Sequence, residues 1–256
     1  MINVLILAAG YGTRLYPITL NTPKPLLDIW GKPIIEHIIS QVDRIKGLAG
    51  IYVVSNEKFY SDFKKWEAGL KRRPDYRINI LNDGSVDESD MLGAVGDIYF
   101  AVKSEGIDTD LLVVGGDNLF KFDLAEFVDF AKERRPYASI GLHDFRDKEN
   151  LSSFGIVSLA GDNVVTDFQE KPEMPKSSLV GMCLYFFPKE SLRFIASYVK
   201  SGENLDQPGH YINWLHRNDR VYGFPLDGRW FDIGTKENYA LADKVFKTGG
   251  RDDKKE

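Results

Sequence analysis

The residues best placed by type and spacing to do chemistry begin at Gly10-Tyr11-Gly12-Thr13-Arg14-Leu15, directly after the apolar run at 4–9, with Lys24 further along the same polar stretch. Small residues let backbone N–H groups approach an anion, and Arg14 and Lys24 add two fixed cations, a combination that suits a triphosphate. The dinucleotide fingerprint GxGxxG fails at its third glycine, where Leu15 stands, and the phosphate loop GxxxxGK[ST] is absent. Pro17 keeps the chain in an extended loop instead of letting it enter a helix at once. The plainer alternative is a glycine-rich turn with surface Arg and Lys. Three further stations carry charge: Asp117 in GGDN, the string Asp167-Phe168-Gln169-Glu170-Lys171-Pro172, and Asp232 in GRWFDIGT. Each could also be a turn, cap or surface residue. Asp123, Asp227 and Glu237 read as solvated or capping, and the histidines, His37 and His143 among them, lack closely spaced metal-ligating partners.

The elements that must position these groups follow from the apolar pattern. Short runs rich in Val, Ile and Leu alternate with amphipathic stretches, as in strands buried on both faces by crossover helices. Strands are expected at 4–9, 51–55, 77–81 and through LLVVGG, with helices at 33–45, 58–70 and 92–102. In the helix at 33–45, Ile34, Ile35, Ile38, Ile39 and Val42 share one stripe. Such a doubly wound sheet binds ligands beyond the carboxyl ends of its strands, which points at the loops after Ala9, Leu81 and Val114. The rhythm quickens in the second half, with strands expected at 138–142, 155–159, 164–168 and 180–187 and a hairpin turn at Gly161-Asp162. Pro172 is expected to end the strand before it and to let Glu170 and Lys171 turn toward a cleft. The fold class is therefore α/β: a Rossmann-like, mostly parallel mixed sheet flanked by helices, with a smaller antiparallel subregion.

The chain has 256 residues, 33 Lys+Arg and 38 Asp+Glu, hence a formal net charge of −5. That balance argues against a broad basic face for nucleic acid. The N-terminal apolar stretch is about six residues long, far short of the roughly 20 that span a bilayer, so neither membrane insertion nor secretion is expected. Cys183 has no second cysteine to bridge, and its apolar setting, VGMCLYFF, predicts a buried thiol in a reducing, cytoplasmic compartment. The tail 248–256 has no apolar anchor and is expected to fray.

The string from Leu7 to Leu27, LAAGYGTRLYPITLNTPKPLL, closely resembles the pyrophosphate-binding signature of sugar-1-phosphate nucleotidylyltransferases. With the GDN, EKP and late-aspartate motifs in the family's order, the chain is most similar to glucose-1-phosphate thymidylyl- and uridylyltransferases, from Val4 to about Ala242. The resemblance implies one catalytic domain over 1–247, with a nucleotide-binding part at 1–135 and a sugar-phosphate-binding part at 136–247. It implies a nucleoside triphosphate, dTTP or UTP by preference, on Leu7, Ala8, Ala9, Gly10, Gly12, Thr13, Arg14, Asn82, Leu92 and Gly93. Glucose 1-phosphate or a related sugar phosphate would lie on Gly155, Glu170, Lys171 and Gly181. Arg14, Lys24 and Lys171 would be catalytic, and Asp117 and Asp232 would hold Mg²⁺, which commonly takes only one or two protein carboxylates and completes its shell with phosphates and water.

Two features depart from the family pattern. Asn82 stands where a base-reading Gln is usual, and the following loop, DGSVDESDM, is long and acidic, with Asp87, Glu88 and Asp90 expected in solvent. The chain also ends soon after its final helix, without the appended helical or β-helix segment of some relatives, which leaves the oligomeric state open. Two rival readings stay in view. A nucleotide-sugar-dependent glycosyltransferase would usually carry a DxD motif, and the nearest candidate, Asp108-Thr109-Asp110, precedes a strand. A silent regulatory relative would have no reason to keep Arg14, Lys24, Asp117, Lys171 and Asp232 together.

Overall fold

The computed structural model describes residues 1–70, 75–145 and 151–247; the tail expected to fray lies outside the described residues. The chain runs β1 (Ile2–Leu7), β2 (Asp28–Ile29), β3 (Lys32–Pro33), α1 (Ile34–Val42), β4 (Leu48–Ser55), α2 (Glu57–Ala68) and β5 (Arg77–Asn82). It continues through α3 (Ala94–Ser104), β6 (Asp110–Gly115), β7 (Asn118–Lys121), α4 (Leu124–Glu133), β8 (Ala138–Asp144), β9 (Gly155–Leu159) and β10 (Val165–Glu170). The last elements are β11 (Leu179–Phe187), α5 (Arg193–Lys200), α6 (Pro208–Asn218), β12 (Val221–Pro225), β13 (Arg229–Asp232) and α7 (Lys236–Lys247).

Strands β5, β4, β1 and β6 pair in parallel, in that order, and β11 joins β6 antiparallel. Beyond β11 the sheet continues into β9 and β10, while β8 also pairs with β11 and carries β12. The α/β class with a mostly parallel sheet and an antiparallel extension therefore holds, and the antiparallel strands belong to the same sheet. Each buried strand serves two cores by alternation. Leu112 and Val114 of β6 face the layer of α1, α2 and α4, whereas Leu111 and Val113 face that of α3, α5 and α6.

Most expected elements lie within two residues of their observed bounds. β1 ends at Leu7, so Ala8 and Ala9 already belong to the loop, and α3 begins at Ala94, so Leu92 and Gly93 precede it. β9 and β10 form the expected hairpin, turning through Gly161–Asn163 with Asp162 and Asn163 at positive φ. β10 stops at Glu170, as Pro172 predicts. Cys183 departs from expectation. It is half-buried, because alternation along β11 sends Val180, Met182 and Leu184 into the core and turns Gly181 and Cys183 toward the cleft. No described helix is long and apolar enough to cross a membrane.

Candidate active site

The loops after β1, β5 and β6 meet at the carboxyl edge of the parallel strands, where they line two adjoining hollows. One is a cleft of about 430 Å³ that takes in Leu7, Ala8, Gly10, Gly12, Arg14, Lys24, Asp117, Gly155, Glu170, Lys171, Gly181 and Asp232. The other, about 390 Å³, takes in Ala9, Thr13, Asp83, Glu88, Gly93 and Asp97. They share Leu7, Gly10, Gly12, Arg14, Lys24, Ala94 and Asp206, so the glycine loop and its two cations form the wall between them.

The loop is held from both sides. Gly12 lies at φ +64°, a left-handed conformation that L side chains rarely adopt, and its carbonyl accepts from Thr19 Oγ1 at 2.7 Å. Leu15 is fully buried beneath it. Asn56 caps α2 by accepting from Phe59 N at 3.0 Å, and its Nδ2 donates to the Ala9 carbonyl at 2.7 Å, tying the end of the β1 loop to a helix start. Lys24 opens a short 3₁₀ turn, and Pro25 in that turn rests against Gly116. A Cβ on Gly116 would stand 2.6 Å from the Leu7 carbonyl oxygen and 2.8 Å from Pro25, so only glycine permits this contact.

That contact sets Lys24 beside Asp117, with Nζ to Oδ2 at 2.9 Å, and the lysine side chain is only 13% exposed. The antiparallel pair β7–β13 brings in the second carboxylate. Asp232 registers opposite Asn118, and Ile233 N donates to the Asp117 carbonyl at 3.0 Å. Asn118 is fixed in turn, accepting from Trp230 Nε1 at 2.6 Å and donating to the Cys183 carbonyl at 3.0 Å. Burial and the adjacent Asp117 push the Asp232 carboxyl up to about 6, against the pull of Lys24, Arg14 and Lys171. Arg14 stands on the same side: a Cβ on Gly234 would lie 3.4 Å from Asp232 Oδ2 and 3.5 Å from the Arg14 guanidinium.

Two carboxylates, Asp117 in the turn before β7 and Asp232 at the end of β13, repelling each other and open toward the cleft, fit a hard divalent cation such as Mg²⁺. Among the described residues no group of three or more His, Cys, Asp or Glu forms a metal site, so substrate oxygens and water would complete such a shell.

At the far end of the cleft, Glu170 closes β10 and Lys171 follows at φ +46°, with Nζ 3.8 Å from Glu170 Oε1. Burial pushes the Glu170 carboxyl up, with Lys171 and His210 pulling it back. Cys183 lines the cleft floor, and burial, Asp117 and Asp232 all push its thiol up, so a thiolate nucleophile is disfavoured there.

The second hollow is acidic. Asp97, in the first turn of α3, is 6% exposed, and burial together with Asp83 pushes its carboxyl up to about 8. Asp83 Oδ1 accepts from Ser85 N and Oγ at 2.8 and 2.7 Å. Asp87, Glu88 and Asp90 are exposed, as expected; Asp90 is turned back on its own loop, accepting from Val86 N and Asp87 N, while Glu88 rims the hollow.

Of the sequence-chosen residues, Asn82 and Leu92 stand outside both hollows. The Asn82 amide donates to Glu57 and its carbonyl accepts from Gly84 N, while Leu92 faces an apolar groove with Tyr99 and Phe100. Asn56, Asp97 and Gln207 stand outside every motif singled out in the sequence, whereas Asn118 sits in GGDN and Asp83 opens the acidic loop, neither of them marked there by itself. Asp108-Thr109-Asp110 is committed elsewhere: Asp110 is buried on Arg135 at 2.7 Å and Asp108 pairs with Lys189 at 3.0 Å.

Known proteins resemble this chain over most of its length. The chain is 32% identical over 249 residues to the bifunctional protein GlmU of Methanocaldococcus jannaschii, covering 95% of this chain and 55% of that protein. It is 29% identical over 246 residues to a glucose-1-phosphate adenylyltransferase of Mycoplasma mobile, covering 90% of this chain and 63% of the other. The chain thus spans about half to two thirds of the length of the curated relatives it matches. A crystal structure from Bacillus anthracis, described as a glucose-1-phosphate thymidylyltransferase in complex with a sucrose, superposes with a TM-score of 0.81 at 22% identity, covering 100% of this chain and 98% of that one, a likeness of fold. The nucleotidyl transferase family matches residues 3–248, and the chain belongs to that family.

Proposed function

We propose that this chain transfers a nucleotidyl group from a nucleoside triphosphate to a sugar 1-phosphate, releasing pyrophosphate. The observation that carries the reading is one continuous cleft with Arg14 and Lys24 around the glycine loop, Asp117 and Asp232 beside them, and Glu170 with Lys171 at the opposite end. The part at 1–135 would take the nucleotide and the part at 136–247 the sugar phosphate. dTTP or UTP with glucose 1-phosphate is the proposed substrate pair; a relative named for adenylyl transfer makes ATP the first competitor to test.

A sugar phosphate is already ionised at neutral pH, so a general base has little to do. One of its phosphate oxygens attacks the α-phosphorus in line, a new P–O bond forms, and the bond to pyrophosphate breaks with its electron pair leaving on pyrophosphate. The obstacle is bringing two polyanions together, and the remedy is fixed positive charge with accurate positioning. The Arg14 guanidinium offers two parallel donors to the α-phosphate and the departing pyrophosphate. Lys24 moves from Asp117 to the triphosphate, Lys171 guides the incoming phosphate, and Glu170 accepts from sugar hydroxyls. Asp117 and Asp232 would hold Mg²⁺. When bound, that ion supplies further neutralisation of phosphate charge. Pyrophosphate release in the presence of Mg²⁺, glucose 1-phosphate and each triphosphate in turn tests the reading. Release that requires both substrates supports it, and no release across a broad sugar-phosphate panel refutes it.

A further inference from the structure

The segment 205–209 runs between the two hollows and is held at both ends. On the nucleotide side, the carbonyls of Leu205 and Asp206 accept from Val95 N at 2.9 Å and Ala94 N at 3.2 Å, which satisfies two first-turn amides of α3. A Cβ on Gly93 would stand 2.6 Å from the Leu205 carbonyl oxygen, so this docking is close. On the other side, Gln207 occupies the cap position of α6 yet makes no side-chain capping bond, and Pro208 follows it in the first turn. Its amide turns to the charged pair at the end of β10. In the orientation that its partners dictate, Nε2 donates to Glu170 Oε1 at 3.1 Å and Oε1 accepts from Lys171 Nζ at 3.3 Å.

Gly209 completes the seat. A Cβ there would fall 1.8 Å from Glu170 Oε2, so the carboxylate rests on bare backbone at the start of α6. Without Gln207, the direct link between Glu170 and Lys171 is a 3.8 Å contact, with the lysine side chain 49% exposed and free to sample many rotamers. The amide matches this pair chemically, with its donor toward the anion and its acceptor toward the cation.

We propose that Gln207 is the positioning residue of the sugar-phosphate end, holding the Glu170 carboxylate and the Lys171 ammonium in one arrangement so that both meet the sugar 1-phosphate together. The inference rests on the assignment of that end to the sugar phosphate. The segment that carries Gln207 also closes the start of α3, so the nucleotide pocket's wall braces the sugar end.

Gln207→Ala removes both bonds without adding bulk. With Mg²⁺ present, KM and the calorimetric Kd for glucose 1-phosphate should each rise about tenfold, whereas KM for the triphosphate should move by less than about twofold. Discrimination between glucose 1-phosphate and its hydroxyl epimers should narrow, because Glu170 loses its fixed direction. Gln207→Glu keeps an acceptor for Lys171 but sets a second carboxylate against Glu170, and it should weaken glucose 1-phosphate binding further. A purely structural role would instead shift the melting temperature and both KM values together, which overturns the proposal. Equal glucose 1-phosphate affinity in wild type and Gln207→Ala overturns it too, while transfer itself stands. A wild type that binds no hexose 1-phosphate overturns both the proposal and the functional reading beneath it.

Discussion

Two pairs of carboxyl groups flank the glycine loop, and the fold surrounds them differently. Asp117 and Asp232 meet across β7 and β13 with Lys24 at 2.9 Å from Asp117 and Arg14 on the same side as Asp232, so positive charge opposes the effect of burial on Asp232. Asp83 and Asp97 meet between the end of β5 and the start of α3, where burial and mutual repulsion push Asp97 the same way, up to about 8. One residue type thus forms a pair flanked by cations on one side of the loop and, on the other, a pair in which burial favours the protonated form of Asp97. The neighbours decide, and at pH 7 Asp97 is mostly a neutral acid that can donate to Asp83.

The difference can be broken from either side. The largest effect is expected at the charged pair: Asp117→Ala should lower turnover by roughly 100- to 1,000-fold while circular dichroism shows an intact fold, and chelation of divalent cations should do the same reversibly on adding back Mg²⁺. Next comes Arg14→Lys, which keeps the charge but loses the planar fork. Turnover should fall about tenfold or more, measured as pyrophosphate release at saturating substrates.

The proton-retaining pair answers to stability. Between about pH 4 and 8 the folded protein keeps a proton on Asp97 that the unfolded chain has released, so this group's contribution to stability falls as pH rises and levels off above about 8. Asp97→Asn removes that slope. Its advantage over wild type should be absent near pH 4 and grow by up to about 1.4 kcal/mol per pH unit until about pH 8, as read from denaturant unfolding at several pH values. The smallest effect is expected at Asn82→Ala. Because Asn82 bonds Glu57 and Gly84 instead of lining a hollow, KM for the triphosphate should change by no more than about threefold, through the turn alone.

What the sequence made legible was local. Gly12, Arg14 and Lys24 sit on one loop whose small residues and prolines declare its shape, and Asp117 follows a buried strand at the edge where parallel sheets gather ligands. Asp232 was readable only through its motif, since nothing local says that β13 pairs with β7. Asp83 opens the long acidic loop and Asp97 lies beyond it in α3, and their encounter depends on how that loop folds back onto the helix. Gln207 reaches Glu170 and Lys171 because α6 packs on β10, an arrangement that helical periodicity alone cannot announce. Cys183 was misread because an apolar run looks buried on both faces, whereas alternation gave one face to the cleft.

On the proposed function, Asp117, Asp232 and the cations beside them serve transfer between two phosphorylated substrates. The most direct measurement is pyrophosphate release by the wild-type protein with Mg²⁺, each nucleoside triphosphate, and glucose 1-phosphate either present or withheld. Release is expected only when triphosphate, sugar 1-phosphate and divalent cation are all present, with the nucleotidyl group recovered on the sugar phosphate. Release from triphosphate alone at an equal rate, or no release with any sugar 1-phosphate, would contradict it.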